Sequence, residues 1–357
     1  MSVIGRIRRA LRGEISVGAV LREAGWRGRA AFGRGRERAM LDRLARQNGA
    51  GKDLVPRLSA EYARMSGPEL LEHFRSRARP KFFAFEDASA ARRERDAAET
   101  MRLLEGAEAI LNAHRWPLLG YGELDFGAEI DWLRDPVSGA VWSPDYHAKV
   151  VLVRGDGSDV RVLWELNRLS HLSTLARAYA VTRDGRFAEE CFAQIESWRT
   201  RNPVGRGPNW SCAMEVALRA LNLLAAFQLV RRAPELNEAR LRQLLSMFDE
   251  HGAHVRRNLE FSHIATSNHY LSDVVGLFWL GLCLPELRAA REWREFGLRE
   301  MLREMDKQVL ADGAHCEAST GYHRFVTELF LYSFILARDN HVEIDVRYLR
   351  KLRAMLD

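Results

Sequence analysis

The chain has 357 residues, a mass of 40.8 kDa, and 47% apolar against 29% charged residues, a balance that suits a globular protein of two or three domains. Ten prolines and no Ser/Gly-rich tract argue against a long disordered linker, and the longest apolar run, residues 276–284, is too short to span a bilayer. A net charge of +6 and a pI near 9.3 would attract any polyanion, whether nucleic acid, anionic lipid or acidic polysaccharide, without choosing among them.

Cys191, Cys212, Cys283 and Cys316 form no CxxC pair, and three of them lie inside apolar helical patterns. They read as buried free thiols, as do the methionines as core, and nothing calls for an oxidising compartment. The basic stretch 1–12 is not followed by a signal-peptide core. The expected location is the cytoplasm, with the periplasm as the alternative.

Residues 1–40 are rich in Arg and Gly with scattered aliphatics. A basic amphipathic helix is one reading. Gly5, Gly13, Gly18 and Gly33-Arg34-Gly35 favour the other, a poorly ordered or surface-docked arm. Helical spacing follows over 38–79, with Ser66 as N-cap and Pro68 in the first turn, and again over 87–113. The stretch 116–162 is different. It is rich in Gly, Pro and aromatics (Trp116, Tyr121, Phe126, Trp132, Trp142, Tyr146) and reads as long loops, whose aromatics either stack on sugar rings or seal a core edge.

From Val162 onward amphipathic helices succeed one another: 163–179 as one, then 187–198, 214–229, 241–259, 274–284, 296–309, 325–336 and 346–356. Short connections make such helices pair antiparallel, in a solenoid or a closed toroid; without a repeat signature the toroid is preferred. The last helix keeps its periodicity to Asp357 without a cap, which suggests that the chain stops short of a domain end.

Polar segments recur at the loop–helix junctions of this half: 164–168, Asn209-Trp210-Ser211, Ser267-Asn268-His269-Tyr270 and Gly321-Tyr322-His323-Arg324, with 312–317 just upstream of the last. The inner helices of a toroid point the same way, so their N-terminal ends share one face. Free N–H groups and the positive dipole end there favour an anion, such as an acidic sugar. Taken singly each residue has an ordinary use. Asn268 reads as a helix cap, Tyr322 as a core phenol, and Glu165, Glu215 and Glu317 as ion-pair partners of Arg168, Arg219 and Arg324. No His/Cys/Asp cluster has metal-ligand spacing and no phosphate-binding glycine loop is present, so neither metal nor cofactor is expected.

Together, the 164–168 segment, Asn209-Trp210 with Met214-Glu215 and Arg219-Asn222, Ser267 to Tyr270, and 312–317 with Tyr322-His323 resemble the heparinase II/III family of polysaccharide lyases, in family order over roughly 116–340. The resemblance implies an all-α, incomplete (α/α) toroid over 116–357, preceded at 1–115 by a basic arm and helices. It also implies β-elimination on a uronic-acid-containing polysaccharide. Asn268 would neutralise the uronate carboxylate, and Tyr322 would act as base and then acid. His269 and His323 would orient the pair. Arg168, Glu215 and Arg219 would position the sugar or brace the cleft, with Asn209, Trp210 and Trp132 among the substrate contacts. The family's C-terminal β-sandwich, with its further histidine and frequent metal site, has no counterpart in this sequence. The expected partner is an acidic polysaccharide, whether heparan-like, alginate-like or a bacterial exopolysaccharide. Nucleic acid ranks last, because no recognised motif accompanies the basic N-terminus. Two competing readings are a non-catalytic module for binding or exporting acidic polysaccharide, and a toroid glycoside hydrolase using Glu165 or Glu215 with Glu317.

Overall fold

The structure, a computed structural model, describes residues 16–46, 54–83, 97–265 and 267–357. In chain order its elements are α1 (Val17–Arg46), α2 (Gly67–Ser76), α3 (Ala97–Ala113), the hairpin strands β1 (Arg115–Pro117) and β2 (Glu123–Asp125), then α4 (Val160–Asn167), α5 (Leu172–Thr182), α6 (Gly185–Arg201), α7 (Ala213–Val230), α8 (Glu238–Arg257), α9 (Asn268–Cys283), α10 (Ala290–Gln308), α11 (Thr320–Asp339) and α12 (Val346–Leu356). The inner helices α3, α5, α7, α9 and α11 pack side by side in that order. Helices α6, α8, α10 and α12 pack each on the inner helix before it. This is the incomplete (α/α) toroid, built from antiparallel hairpins with short turns.

Helix α9 is its axis. Every residue of it is buried except His269, because its sequence is apolar all round and so finds neighbours on every side. Two glycines let α10 lie against it. A Cβ on Gly297 would sit 2.5 Å from the Phe278 nitrogen, and one on Gly281 would sit 2.4 Å from the Ala290 carbonyl oxygen. Helix α7 is long and apolar enough to cross a membrane, but 67% of it is buried inside the toroid, and it serves as the neighbouring core helix. The buried cluster runs from Leu54 through Phe74 and Ile110 to Met355, so α2 and α3 share one core with the helices after residue 115.

Local signals explain several boundaries. Ser66 caps α2 in a full capping box, its Oγ accepting from Glu69 N while Glu69 returns to the Ser66 N–H. The loop aromatics seal rather than project: Trp116, Trp132, Trp142 and Tyr146 are buried, whereas Tyr121 is 53% exposed.

Three expectations need correction. The glycine-interrupted arm is one continuous helix, α1, over 17–46; residues 1–15 lie outside the described part. Each glycine weakens a helix by only about 1 kcal/mol, and docking compensates. Trp26 packs edge-on against Phe261, Leu41 sits over Gly205, and Glu23 accepts from Ser262 Oγ and the His263 N–H. Next, the single helix expected over 163–179 is two, α4 and α5, separated where Leu169 turns left-handed (φ 57°). The segment 164–168 therefore ends one helix and leads into the next. Finally, Cys316 is exposed, unlike the other three cysteines.

Candidate active site

The entries of α5, α7, α9 and α11 lie on one face and are joined by side-chain contacts. Arg168, just before α5, grips Glu215 in the first turn of α7 through two bonds, Nε to Oε2 at 2.7 Å and Nη2 to Oε1 at 2.9 Å. Its Nη1 holds Glu165 at 2.5 Å. Burial opposes the Arg168 charge, but Glu215 and Glu165 outweigh it and raise its pKa above the ordinary value. Arg168 and Glu215 thus brace the wall, with each other as partners.

Between α7 and α9, Glu260 joins the Cys212 thiol (3.0 Å) to His269 Nδ1 (2.5 Å). The Glu260 N–H donates to buried Asp273 at 2.7 Å, which fixes the loop below the site. Burial pushes the Asp273 carboxyl well above its usual range. Its partner carboxylate Glu260 goes the other way. Burial disfavours its charge, but the bond from His269 prevails and its pKa falls. The His269 pKa is raised, first by that bond and further by the nearby Glu215 and Glu317 charges.

A pH dependence follows. The pair's contribution to stability disappears as pH falls through the lowered Glu260 pKa, and again as pH rises through the raised His269 pKa; it is complete only between them. In an NMR titration His269 is expected to have its midpoint above the ordinary 6.5, and Glu260→Gln is expected to move it down. An unmoved midpoint in Glu260→Gln would show that Glu260 is not the cause.

Asn268 opens α9 and is buried (4% exposed). Glu317, just upstream of α11, accepts from its backbone N–H at 2.8 Å, and Asn268 Nδ2 lies 2.9 Å from both Glu317 oxygens. Carboxylate oxygens are about 2.2 Å apart, so from that nitrogen they subtend only about 45°, against about 120° between the two N–H bonds of an amide. One Nδ2–H is therefore shared between both oxygens. The other points away, and no acceptor among the described residues takes it. Glu317 is itself held by a buried relay. His315 Nδ1 accepts the Glu317 N–H at 3.4 Å and its Nε2 meets Gln308 Oε1 at 2.9 Å, while Gln308 Nε2 donates to the Ser267 carbonyl at 3.0 Å. The effect is a positioned amide with one free donor at a helix N-terminus.

Tyr322 lies in the first turn of α11, half exposed. It is near enough to the Arg161 guanidinium for the two to interact electrostatically, although Asp159 is that arginine's main partner. Asn268 and His269 open α9 and Tyr322 lies in the first turn of α11, but His323 does not support the pair. Its Nε2–H donates to the Met355 carbonyl at 2.9 Å, so it ties α11 to α12.

The expected sugar contacts Trp132, Asn209, Trp210 and Arg219 are corrected outright. All four are buried to 1% exposure or less and are bonded within the core below the face, with Asn209 Oδ1 left without a partner. Asn209 Nδ2 donates to the Trp132 carbonyl (3.0 Å), Asn167 Oδ1 (2.9 Å) and Asn202 Oδ1 (2.7 Å). Arg219 lies over the Trp198 and Trp210 rings. The residues missed as site members are Glu317, read only as an ion-pair partner or a hydrolase acid, and Glu260. Glu317 lies 49 positions from Asn268 and Glu260 lies 48 from Cys212 and nine from His269, separations that no motif spacing marks. A cavity of about 480 Å³ between α3 and α5, lined by Arg102, Arg115 and Arg177 among others, contains none of these side chains.

The helical toroid has solved counterparts. It superposes on a structure titled Heparinase III-BT4657 gene product with TM-score 0.62 at 21% identity, covering 81% of this chain and 44% of that one. On the heparan sulfate lyase HepC mutant from Pedobacter heparinus the TM-score is 0.60 at 25% identity, covering 81% and 43%. Among curated proteins, the heparin-sulfate lyase of Pedobacter heparinus is 27% identical over 232 residues, 64% of this chain and 31% of that relative. The heparin-sulfate lyase of Bacteroides stercoris is 24% identical over 234 residues, again 31% of the relative. The chain belongs to the heparinase II/III family, whose N-terminal sequence profile (Heparinase II/III N-terminus) matches residues 52–357. It spans about a third of the length of these curated relatives, and helix α1 lies upstream of the matched segment.

Proposed function

We propose that this toroid supplies the Asn/Tyr wall of a polysaccharide lyase that breaks a uronic-acid-containing polymer by β-elimination, with heparan-type chains as the first substrate to try. The observation that carries the reading is the free Asn268 Nδ2–H, held in place by Glu317 at the start of α9 beside the entry that bears Tyr322. The proton on C5 of a uronate becomes removable when the adjoining carboxylate is relieved of its charge. The free amide N–H donates to that carboxylate and stabilises the enolate-like intermediate, in which the extra electron pair spreads onto the carboxylate oxygens. The deprotonated Tyr322 oxygen takes the C5 proton. The C4–O4 bond then breaks as the C4–C5 double bond forms, and Tyr322–OH returns its proton to the leaving O4.

The hydrolase alternative has less support. It needs two carboxyl groups facing one glycosidic bond, whereas Glu165 and Glu215 are both engaged by Arg168 and Glu317 is engaged by Asn268.

The test follows the ultraviolet absorbance of a C4–C5 unsaturated uronate over a panel of heparan-type, alginate and bacterial acidic polysaccharides. Product is expected on at least one polymer, with Tyr322→Phe slower by about 10²–10⁴-fold. Cleavage without the double bond would favour a hydrolase. Salt-sensitive binding without cleavage that survives loss of Asn268 and Tyr322 would favour a binding module.

A further inference from the structure

We propose that Glu37, His147 and His254 form a binding site for a divalent metal of the zinc type, which fastens helix α1 to the toroid. The three residues come from α1, from the loop before α4 and from the last turns of α8, and all are buried. One ligand atom from each lies within 4.8 Å of the others. His147 Nε2 is 3.0 Å from Glu37 Oε2, and His254 Nδ1 is 3.8 Å from Glu37 Oε1. The two distances run to opposite oxygens of the Glu37 carboxylate, and both are of the order of the roughly 3.3 Å that separates neighbouring ligands around a tetrahedral zinc with bonds near 2.0–2.1 Å.

The second observation is an orphaned donor atom. His254 Nε2–H donates to the Trp210 carbonyl at 2.9 Å, which leaves a lone pair on Nδ1. That nitrogen is fully buried, has no hydrogen-bond partner, and faces Glu37. With Nε2–H given to the carbonyl, Nδ1 presents the free lone pair that a metal requires. A ligating histidine whose other ring N–H is fixed by a backbone carbonyl is the usual second-shell arrangement. Two imidazoles and a carboxylate are a zinc-type set with a fourth position for water.

Outer contacts are also in place. Tyr146 OH donates to Glu37 Oε2 at 3.0 Å and Asn258 Nδ2 to Oε1 at 3.1 Å. The neighbouring cation, Arg257, lies 3.4 Å from Glu37 Oε1 with its side chain 42% exposed, so it has room to turn toward solvent. In the other three-residue cluster of this kind among the described residues, Cys212, Glu260 and His269, Glu260 is bonded to both other members, whereas at the Glu37 site only His147 of the two histidines is bonded to the carboxylate and His254 Nδ1 has no partner. No spacing rule finds the Glu37 site: Glu37 and His147 are 110 positions apart. The ion would act through α1, whose Glu23 holds Ser262 and His263 in the loop leading to Asn268.

The experiment uses the untagged full chain, purified without chelator. Elemental analysis is expected to find one zinc per chain. Stripping with a chelator is expected to lower Tm, and zinc to restore it. The cobalt(II) form should show tetrahedral ligand-field bands without a thiolate-to-cobalt charge-transfer band. Glu37→Gln and His254→Gln should weaken zinc by more than about 100-fold, beyond the effect of losing an outer-shell partner, while Cys212→Ser retains it. Failure of the folded wild-type chain to take up zinc or cobalt overturns the proposal whatever the variants do. So does a thiolate band, zinc lost only in Cys212→Ser, or zinc retained in both Glu37→Gln and His254→Gln.

Discussion

Asn268→Ala is expected to lower kcat on the cleaved polysaccharide by about 10²–10³-fold with KM little changed. On the proposed mechanism the amide N–H would strengthen its bond as charge moves onto the uronate carboxylate, so its loss would appear in the transition state more than in binding. The variant leaves Glu317 without its side-chain partner but keeps the backbone N–H that Glu317 accepts, so the α9 entry should survive and the effect should be one of chemistry. Glu317→Gln tests the positioning separately. A single amide oxygen replaces the symmetric carboxylate cradle, so the Asn268 amide loses its fixed tilt, and kcat should fall by up to about 10²-fold. If Glu317 were only structural, the same variant would lower Tm and leave the kcat of the folded fraction intact. A rise in KM with kcat unchanged in Asn268→Ala would mean that Asn268 merely binds.

That pairing shows how far the sequence could be read. The inner-helix entries were legible because each puts polar residues directly before an apolar run, and Asn268 and Tyr322 stand out there as side chains that an apolar helix does not need. Ser66 was legible for the same reason, a cap with its Glu three residues on. Helix α1 was not. Its glycines interrupt the helical pattern although arginines and alanines outnumber them, and it is held by Trp26, Glu37 and Leu41 docking on segments more than 100 residues away. The direction in which an entry residue faces was also hidden. Asn209 and Trp210 precede α7 much as Asn268 and His269 open α9, yet one pair turns into the core and the other lies at the face. Only the assembled ring decides that, because inward residues are those for which a neighbouring helix supplies acceptors.

Arg219 provides the sharpest case, and Arg219→Ala is expected to destabilise the fold by about 3–5 kcal/mol, read as a lower urea midpoint with an unchanged slope. The side chain is 1% exposed. Its Nε donates to His251 Nε2 at 2.9 Å, its Nη1 to the Asn167 carbonyl at 3.3 Å and its Nη2 to the Asn209 carbonyl at 2.8 Å. Its guanidinium carbon lies 4.4 Å from the Trp198 ring centroid. No carboxylate among the described residues bonds it, and burial pushes its pKa down to about 9 against the nearby Glu215 charge, so aromatic faces and carbonyl dipoles help to carry the charge. Alanine would leave two carbonyls and an imidazole nitrogen unsatisfied around a cavity. Lysine would recover part of the charge but not the planar fork that reaches three acceptors at once, so Arg219→Lys should fall between the two. A substrate contact would behave in the opposite way: Arg219→Ala would raise KM and leave the urea midpoint in place. Because Asn167 and Asn209 lead into α5 and α7, loss of this arginine should also loosen the entries above it, and kcat should fall in the folded fraction even though Arg219 never reaches the sugar.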